Sequence, residues 1–322
     1  RMVTVRRYAV DNRDGWVLDV RRVTSDELDR SKPPILFVPG YGMNTHILGY
    51  HPRGLSMVEY LCRGGFEVWL ANLRGQGESS RRRGGRRHIG LAELSHVDVP
   101  AVMSRLLDAT LSTAERVHVI GCSLGGALAY SYLASVIDEH ALASLVSLGG
   151  PFRWDRVHPV IAAVAKRSAL VSSFPIVGTR ALAKVAMPVV AKVPILLSPY
   201  MNARGIDLSN PGELARTVDD PPSGVTRELG EWITNRDLVV GGIDVGKTLE
   251  GLELPILCVL ASSDGIVPPE TVTAIRHVAR GPVDILEVGD TSNPFAHADL
   301  FINDEAETRV FEPMRDWLER QS

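Results

Sequence analysis

The sequence predicts an α/β protein with a mostly parallel central sheet and helices on both faces of that sheet. Two observations support this class. Short apolar runs rich in β-branched residues alternate with longer segments of helical periodicity along most of the 322 residues. The runs are nearly continuous in apolar residues, which is typical of strands buried on both faces. The predicted strands cover residues 34–38, 66–71, 117–120, 145–148, 256–260 and 283–288.

The segment before these strands has a different pattern. Residues 3–23 alternate between apolar and polar side chains around the turn signal Asn12-Arg13-Asp14-Gly15. This pattern predicts an antiparallel hairpin at the edge of the sheet. Helical periodicity elsewhere predicts helices over residues 99–111, 124–137, 270–279 and 305–320.

The strand–helix alternation stops after residues 149–151 and resumes near residues 254–255. The intervening stretch is rich in Ala, Val, Ile and Pro, and its helical periodicity is interrupted by Pro175, Pro188, Pro194 and Pro199. We interpret residues 152–251 as a helical cap, or lid, inserted into a core domain of residues 1–151 and 252–322. The alternative interpretation is that this stretch is simply more core.

The composition excludes several classes of protein. With 35 Lys and Arg against 38 Asp and Glu, the formal net charge is −3, and a nucleic-acid partner is not expected. No apolar run is long enough for a transmembrane helix, although transient contact with a lipid surface stays open. The oligomeric state is not determined by these patterns.

The cysteines also restrict the interpretation. Cys62, Cys122 and Cys258 are odd in number and widely spaced, so neither a disulfide framework nor a zinc site is expected. We expect no metal and no cofactor. The chain opens with Arg1-Met2 and shows no signal-peptide pattern, so a cytoplasmic location is expected unless a targeting segment has been trimmed.

The candidate nucleophile is Ser123, in the run Gly121-Cys122-Ser123-Leu124-Gly125. A predicted strand precedes this run and a predicted helix follows it, which is the context of a nucleophile elbow. The serine lies on a sharp turn there, and small residues two positions before and after it avoid clashes. The alternative is a glycine-rich helix start that only packs closely.

A serine nucleophile needs a base, and the base needs an orienting acid. Asp264 follows the strand 256–260, and His297 follows the strand 283–288 after a short loop. Both therefore lie where open α/β sheets place their sites, past the carboxyl ends of strands. Four other acids are weaker alternatives by position, namely Asp237, Asp244, Asp290 and Asp299.

The loop after the first buried strand reads Val38-Pro39-Gly40-Tyr41-Gly42. Glycine allows the backbone to come close, so the amide of Tyr41 is a candidate donor to an oxyanion. The amide of Leu124, at the start of the helix after Ser123, is the second candidate donor. A plain glycine-rich turn is the alternative interpretation of residues 38–42.

Two further motifs are given little weight. Residues 241–248 fit the phosphate-loop pattern GxxxxGK[ST], but Gly251 and Pro255 leave no room for the helix that must follow. The basic run 81–87 could contact a nucleic acid or an anionic lipid, but we interpret it as a solvated loop near the turn at Gly75–Gly77. His118, inside a predicted strand, is expected to be a satisfied core group.

These residues together resemble the α/β-hydrolase superfamily over nearly the whole chain, in the order Ser, acid, His. Residues 69–79 are similar to the N-x-R-G loop of lipases and esterases, and Pro39 replaces the His of the usual His-Gly loop. Residues 235–269 resemble poly(3-hydroxyalkanoate) synthases. Those enzymes carry Cys at the centre of the elbow, whereas this chain carries Ser123 beside Cys122.

The resemblance implies an esterase or lipase-like hydrolase with the triad Ser123, Asp264 and His297. The apolar cap favours a lipophilic ester as the small-molecule substrate. Two alternatives stay open: an acyltransferase or polymer-synthase-like enzyme using the same triad, and a non-catalytic binding protein on the same scaffold.

Overall fold

The computed structural model describes residues 3–173, 177–190 and 198–322. Strands and helices alternate along the chain, as the sequence predicts. The strands are β1 (Val3–Asp11), β2 (Trp16–Ser25), β3 (Ile35–Val38), β4 (Val68–Ala71), β5 (Ser80–Arg81), β6 (Val117–Cys122), β7 (Leu142–Leu148), β8 (Val239–Val240), β9 (Ile243–Asp244), β10 (Ile256–Ala261) and β11 (Val283–Val288).

The helices vary widely in length. They are α1 (Met57–Arg63), α2 (Val99–Ala109), α3 (Leu124–Ser135), α4 (Pro159–Ala165), α5 (Ser168–Ser172), α6 (Thr179–Val190), α7 (Pro211–Arg216), α8 (Ser223–Asn235), α9 (Val245–Thr248), α10 (Pro269–Thr273), α11 (Asp299–Ile302) and α12 (Glu312–Arg320). Short 3₁₀ or π turns cover Thr45–Gly49, Glu93–Asp98, Ala274–His277 and Glu307–Phe311. Within the described ranges, every helix is too short or too polar to cross a bilayer.

One nine-stranded sheet organises the molecule. Its strand order is β1-β2-β4-β3-β6-β7-β10-β11, and β5 pairs with β2 beside this path. All neighbours from β4 to β11 are parallel, whereas β1, β2 and β5 make antiparallel pairs. The predicted mostly parallel sheet is therefore confirmed, and so is the antiparallel hairpin at its edge.

The central strands bury both faces. Along β3, Leu36 packs into one apolar cluster and Phe37 into another, because successive side chains point to opposite faces of a sheet. Helices α2 and α3 contribute to the first cluster, and α1 and α12 contribute to the second. The core is therefore two apolar layers, one on each face of the sheet.

Strand β11 departs from the prediction of burial on both faces. Residues 283–287 of this strand are half-buried or exposed, and only Val288 is buried. The reason is position, since β11 pairs with β10 alone and forms the edge of the sheet. An apolar run therefore predicted the strand correctly but not its burial.

The segment between β7 and β10 contains α4 to α8 among the described residues, followed by the small hairpin β8–β9. Pro188 lies within α6 and does not end it, whereas Pro175 and Pro194 lie outside the described residues. Leu238 and Val240 are buried in the same cluster as Ile256 of β10. The division into a core and a cap at residues 152 and 251 stays a prediction.

A buried ion pair ties the amino-terminal hairpin to the rest of the fold. The side chains of Arg74 and Asp98 are both fully buried, and Arg74 Nη2 lies 2.8 Å from Asp98 Oδ1. Arg74 Nη1 also contacts Asp14 Oδ2 at 2.7 Å, and Asn12 Nδ2 donates to Asp98 Oδ1. The hairpin turn, the loop after β4 and the start of α2 therefore meet at one charged cluster.

Replacing Asp98 is expected to destabilise the protein strongly. Asp98→Asn leaves the buried Arg74 guanidinium without its main counter-charge, so the free energy of unfolding should fall by about 3–5 kcal/mol. Urea denaturation followed by tryptophan fluorescence measures this loss. The matched control is Asp11→Asn, because Asp11 pairs with Arg82 at the surface and such pairs contribute about 0–1 kcal/mol. Equal losses in the two variants would contradict the prediction.

Candidate functional site

The turn between β6 and α3 holds Ser123 in an unusual backbone conformation. Its φ is 54° and its ψ is −127°, a region that non-glycine residues rarely adopt. Such a conformation costs about 1–3 kcal/mol and persists only where the surroundings impose it. The predicted sharp turn from strand to helix is therefore present. It places Ser123 at the carboxyl edge of the sheet, directly after β6.

Two glycines make this turn sterically possible. A Cβ on Gly121 would lie 2.4 Å from the carbonyl oxygen of Gly125, and a Cβ on Gly125 would lie 2.0 Å from the carbonyl oxygen of Val38. Both distances are far below a normal contact. The spacing Gly-x-Ser-x-Gly is thus required here by the close approach of β3, β6 and α3.

Ser123, His297 and Asp264 form one hydrogen-bonded chain. His297 Nδ1 lies 2.6 Å from Asp264 Oδ2, and His297 Nε2 lies 2.8 Å from Ser123 Oγ. Because a carboxylate only accepts, Nδ1 carries the proton and the Ser123 hydroxyl donates to Nε2. The histidine and aspartate side chains are buried, which limits the competition of water for these bonds.

The backbone orients the carboxylate of Asp264. Its Oδ1 accepts hydrogen bonds from the amides of Ile266 and Val267, at 2.8 and 2.9 Å. Oδ2 is therefore left to face His297. This arrangement brings together three residues that are separated by up to 174 positions in the chain.

The competing acids occupy other positions. Asp290 accepts from Ser292 and pairs with Arg309 at the surface, and the Ser292 hydroxyl above all holds the pKa of its carboxyl below the usual range. Asp299 is buried, and burial raises its pKa even though Oδ2 accepts from the amides of Asn202 and Ala296.

The two weaker candidates also lie apart from the histidine. Asp244 caps the start of α9 by accepting from the amide of Lys247, and Asp237 is exposed before β8. In the hydrogen bonds of the described chain, Asp264 is the acid that contacts His297.

The loop after β3 approaches the same turn. A Cβ on Gly40 would lie 2.8 Å from the amide nitrogen of Leu124, so the backbones of the two segments nearly touch. Leu124 begins α3, and its N–H is one of those that a helix leaves without an acceptor of its own. The backbones around Tyr41 and Leu124, the two candidate oxyanion donors, therefore lie close to Ser123.

Gln76 holds the orientation of the peptide that links Gly40 to Tyr41, a role not recognised from the sequence. Its Nε2 donates to the carbonyl oxygen of Gly40 at 3.3 Å, while its Oε1 accepts from the amide of Leu73. In a trans peptide the N–H points away from the C=O, so this bond also sets the direction of the Tyr41 N–H. The only sequence signal was the position of Gln76 within the N-x-R-G loop.

An apolar cavity of about 410 Å³ opens beside Ser123. Its walls are mainly aliphatic and aromatic, and include Trp154, Ile161, Leu229 and Phe301 from the segments around the sheet edge. Such a cavity suits an apolar group placed next to the serine hydroxyl.

The remaining candidates from the sequence are structural. Cys122 is fully buried and burial raises the pKa of its thiol above the normal range, so it stays protonated inside the core. His118 is buried between Ser144 and Ser322, and burial lowers its pKa to about 4. Both therefore act as core groups.

The described residues offer little for a metal or a nucleotide. Over these ranges, no cluster of three His, Cys, Asp or Glu side chains could hold a metal ion. The phosphate-loop pattern of residues 241–248 folds as the end of a short hairpin followed by the four-residue helix α9. That helix is too short for the phosphate-binding geometry.

Adding a methyl group at Gly125 is expected to damage the fold at this turn. In Gly125→Ala the new Cβ meets the Val38 carbonyl, so the free energy of unfolding should fall by about 3 kcal/mol or more. The matched control is Gly212→Ala in α7, where the nearest atom lies 3.6 Å away. Thermal unfolding compares the two variants, and an unchanged Tm in Gly125→Ala would show that the close approach is absent.

Known proteins share this architecture. A family model for the alpha/beta hydrolase fold matches residues 33–185, which include Ser123 but neither Asp264 nor His297. Among curated proteins, none matches this chain.

Several solved structures cover nearly the whole chain. A hydrolase from Pseudomonas aeruginosa PA01 is 19% identical, with a TM-score of 0.61 and coverage of 98% of this chain and 97% of its own. The monoacylglycerol lipase of Paleococcus ferrophilus is 17% identical, with a TM-score of 0.59 and coverage of 95% and 99%. The haloalkane dehalogenase DatA from Agrobacterium tumefaciens C58 is 13% identical, with a TM-score of 0.63 and coverage of 99% and 97%.

These identities are low, and the named activities differ, so the structural matches establish the fold and not the reaction. The family match and the shared architecture together show that this chain has the α/β-hydrolase fold.

Proposed function

We propose that this chain is a serine hydrolase that cleaves carboxylic esters through an acyl-enzyme on Ser123. The observation that carries the proposal is the hydrogen-bonded chain from Ser123 through His297 to Asp264 beside an apolar cavity. Nucleophile, base and orienting acid are the parts that acyl transfer to a serine requires.

The reaction proceeds in two halves. In the first, His297 Nε2 takes the proton from Ser123 Oγ as the oxygen attacks the ester carbonyl, and Asp264 stabilises the resulting imidazolium. The amides of Tyr41 and Leu124 donate to the oxyanion. The proton then passes to the departing alkoxide, which leaves as an alcohol. In the second half, His297 takes a proton from a water that attacks the acyl-serine, and it passes this proton to Ser123 Oγ as the acid leaves.

The identity of the nucleophile favours esters over halides and epoxides. Attack of a serine on an alkyl halide or an epoxide gives an ether, which has no carbonyl for water to attack, so the enzyme would not be regenerated. Attack on an ester gives an acyl-serine, which water can hydrolyse. The apolar walls of the cavity favour a lipophilic acyl or alcohol group in the substrate.

Removing the serine hydroxyl is expected to abolish turnover. Ser123→Ala should lower kcat for p-nitrophenyl esters of graded acyl length by about 10³-fold or more. A fluorophosphonate probe should label the parent and not the variant. The matched control is Cys122→Ala, because this neighbouring side chain is buried in the core and should leave kcat within about tenfold. Activity of Ser123→Ala within about tenfold of the parent would refute the assignment.

Gln76 is expected to act as a positioning residue for the oxyanion donor. Gln76→Leu removes the hydrogen bond to the Gly40 carbonyl, so the Tyr41 N–H loses its fixed direction. We expect kcat to fall by about 10- to 100-fold, somewhat less than for loss of a donor itself, with KM little changed. Binding of a trifluoromethyl ketone that mimics the oxyanion should weaken in parallel.

The control for this variant is Glu78→Gln, an exposed change on the same loop that should leave both parameters unaltered. A Gln76→Leu variant with a raised KM and an unchanged kcat would instead assign Gln76 to substrate binding.

A further inference from the structure

One part of the chain has an unusual distribution of charge. Residues 156–206 contain no Asp or Glu, so all 38 acidic residues of the chain lie outside them. The same stretch carries seven cations, at Arg156, Lys166, Arg167, Arg180, Lys184, Lys192 and Arg204. In a protein whose formal net charge is −3, this segment is a basic island.

The same segment exposes large apolar side chains. Of the eleven that are strongly exposed within the described residues, six fall between residues 160 and 185, and the other five are scattered. The six are Val160, Val164, Leu170, Val177, Leu182 and Val185, with exposed fractions of 52–76%. Single exposed apolar residues are ordinary, but a concentration of this kind in one segment of the chain calls for an explanation.

The outward sides of α4 and α6 combine both properties. Val160 and Val164 lie one turn apart on α4, and Leu182 and Val185 lie one turn apart on α6. Lys166 and Lys184 are exposed near these pairs, and neither forms an ion pair with any described residue. We call this set the basic apolar surface: Val160, Val164, Lys166, Leu182, Lys184 and Val185.

The inner side of the segment is already occupied. Ala165 at the end of α4 is buried, and its carbonyl lies close to Gly230 of α8, as does the side chain of Ser168 at the start of α5. Ile161 of α4 lines the cavity beside Ser123. The exposed valines of α4 therefore have no packing role within the described fold, because that helix already packs through other residues.

We propose that the residues of the basic apolar surface, from α4 and α6, face the same side of the molecule and dock it onto anionic lipid surfaces. Helices at a membrane interface bury apolar side chains among the acyl chains while their Lys and Arg residues contact anionic headgroups. A second copy of this chain fits less well, because a symmetric interface would bring the same uncompensated lysines against each other. Charge complementarity thus selects an anionic bilayer as the occupant.

Docking would also place the cavity next to the lipid. Ile161 lines the cavity, and Val160 and Val164 lie on the outward side of the same helix. A lipophilic ester could then pass from the bilayer to Ser123 with little exposure to water. This consequence rests on the proposed function, whereas the docking itself does not.

Vesicle sedimentation of the full chain tests the proposal. The probes are vesicles of phosphatidylcholine alone and vesicles containing about one third phosphatidylglycerol. We expect binding to the anionic vesicles to be at least about tenfold tighter and to weaken as salt is raised, since screening shortens the reach of the lysine charges. Absence of binding to the anionic vesicles, or equal binding to both kinds, would overturn the proposal.

Paired variants separate charge from apolar contact. Lys166→Glu with Lys184→Glu should weaken binding to anionic vesicles by about tenfold or more. Leu182→Ser with Val185→Ser should weaken it comparably, and both pairs lie on exposed positions whose change leaves the core intact. The control is Arg83→Glu with Arg87→Glu, an equal charge reversal in the exposed basic run, which should leave binding unchanged.

Two further readouts decide between explanations. Ser123→Ala should bind vesicles as the parent does, so a failure of the catalytic proposal leaves the docking result interpretable. Gel filtration of the same variants reports the oligomeric state. A loss of dimers without a loss of vesicle binding in the Leu182 and Val185 variant would identify the surface as an interface between copies and overturn lipid docking.

Discussion

The close packing of three backbone segments at the carboxyl edge of the sheet is the constraint on which the site depends. The end of β3, the turn after β6 and the first turn of α3 approach so closely that Gly40, Gly121 and Gly125 have no room for a Cβ. This packing imposes the positive φ of Ser123 and sets the Leu124 amide beside the loop that carries Tyr41. The packed core around Ser123 thus offsets the energetic cost of its strained backbone conformation.

The loop that carries His297 is held in place by an acid that competes with Asp264 in the sequence. Asp299 accepts from the amides of Asn202 and Ala296, and its Oδ1 accepts from Asn303. The amide of Ala298 in turn donates to the carbonyl of Tyr200. One buried carboxylate therefore joins the histidine loop to the segment that follows residue 197, while Asp264 remains free to contact the imidazole ring.

Helix α4 and its neighbours connect the site to the outside of the molecule. Ile161 lines the apolar cavity, whereas Val160 and Val164 on the same helix are exposed. The buried Arg74–Asp98 pair is also connected to the site, because the loop that it anchors carries Gln76. Helix α4 thus contributes Ile161 to the cavity, and the Arg74–Asp98 pair holds the loop of Gln76, so both features act on the proposed chemistry.

The sequence by itself determined the features that are local in the chain. Apolar periodicity predicted the strands and helices, and the spacing of Gly121, Ser123 and Gly125 predicted the elbow, because both depend on nearby residues. It also predicted Asp264 and His297 as the partners of Ser123, because parallel strands bring their carboxyl ends to one edge.

Only the tertiary structure decided the features that depend on distant residues. It assigned β11 to the sheet edge, paired Arg74 with Asp98, gave Asp299 a structural role and directed Gln76 to the Gly40 carbonyl. The apolar cavity also depends on the tertiary structure, because its walls come from segments that are far apart in the chain. Sequence periodicity indicates which side of a helix or strand is apolar. It does not indicate which distant segment will pack against that side, because such contacts form only when the chain folds.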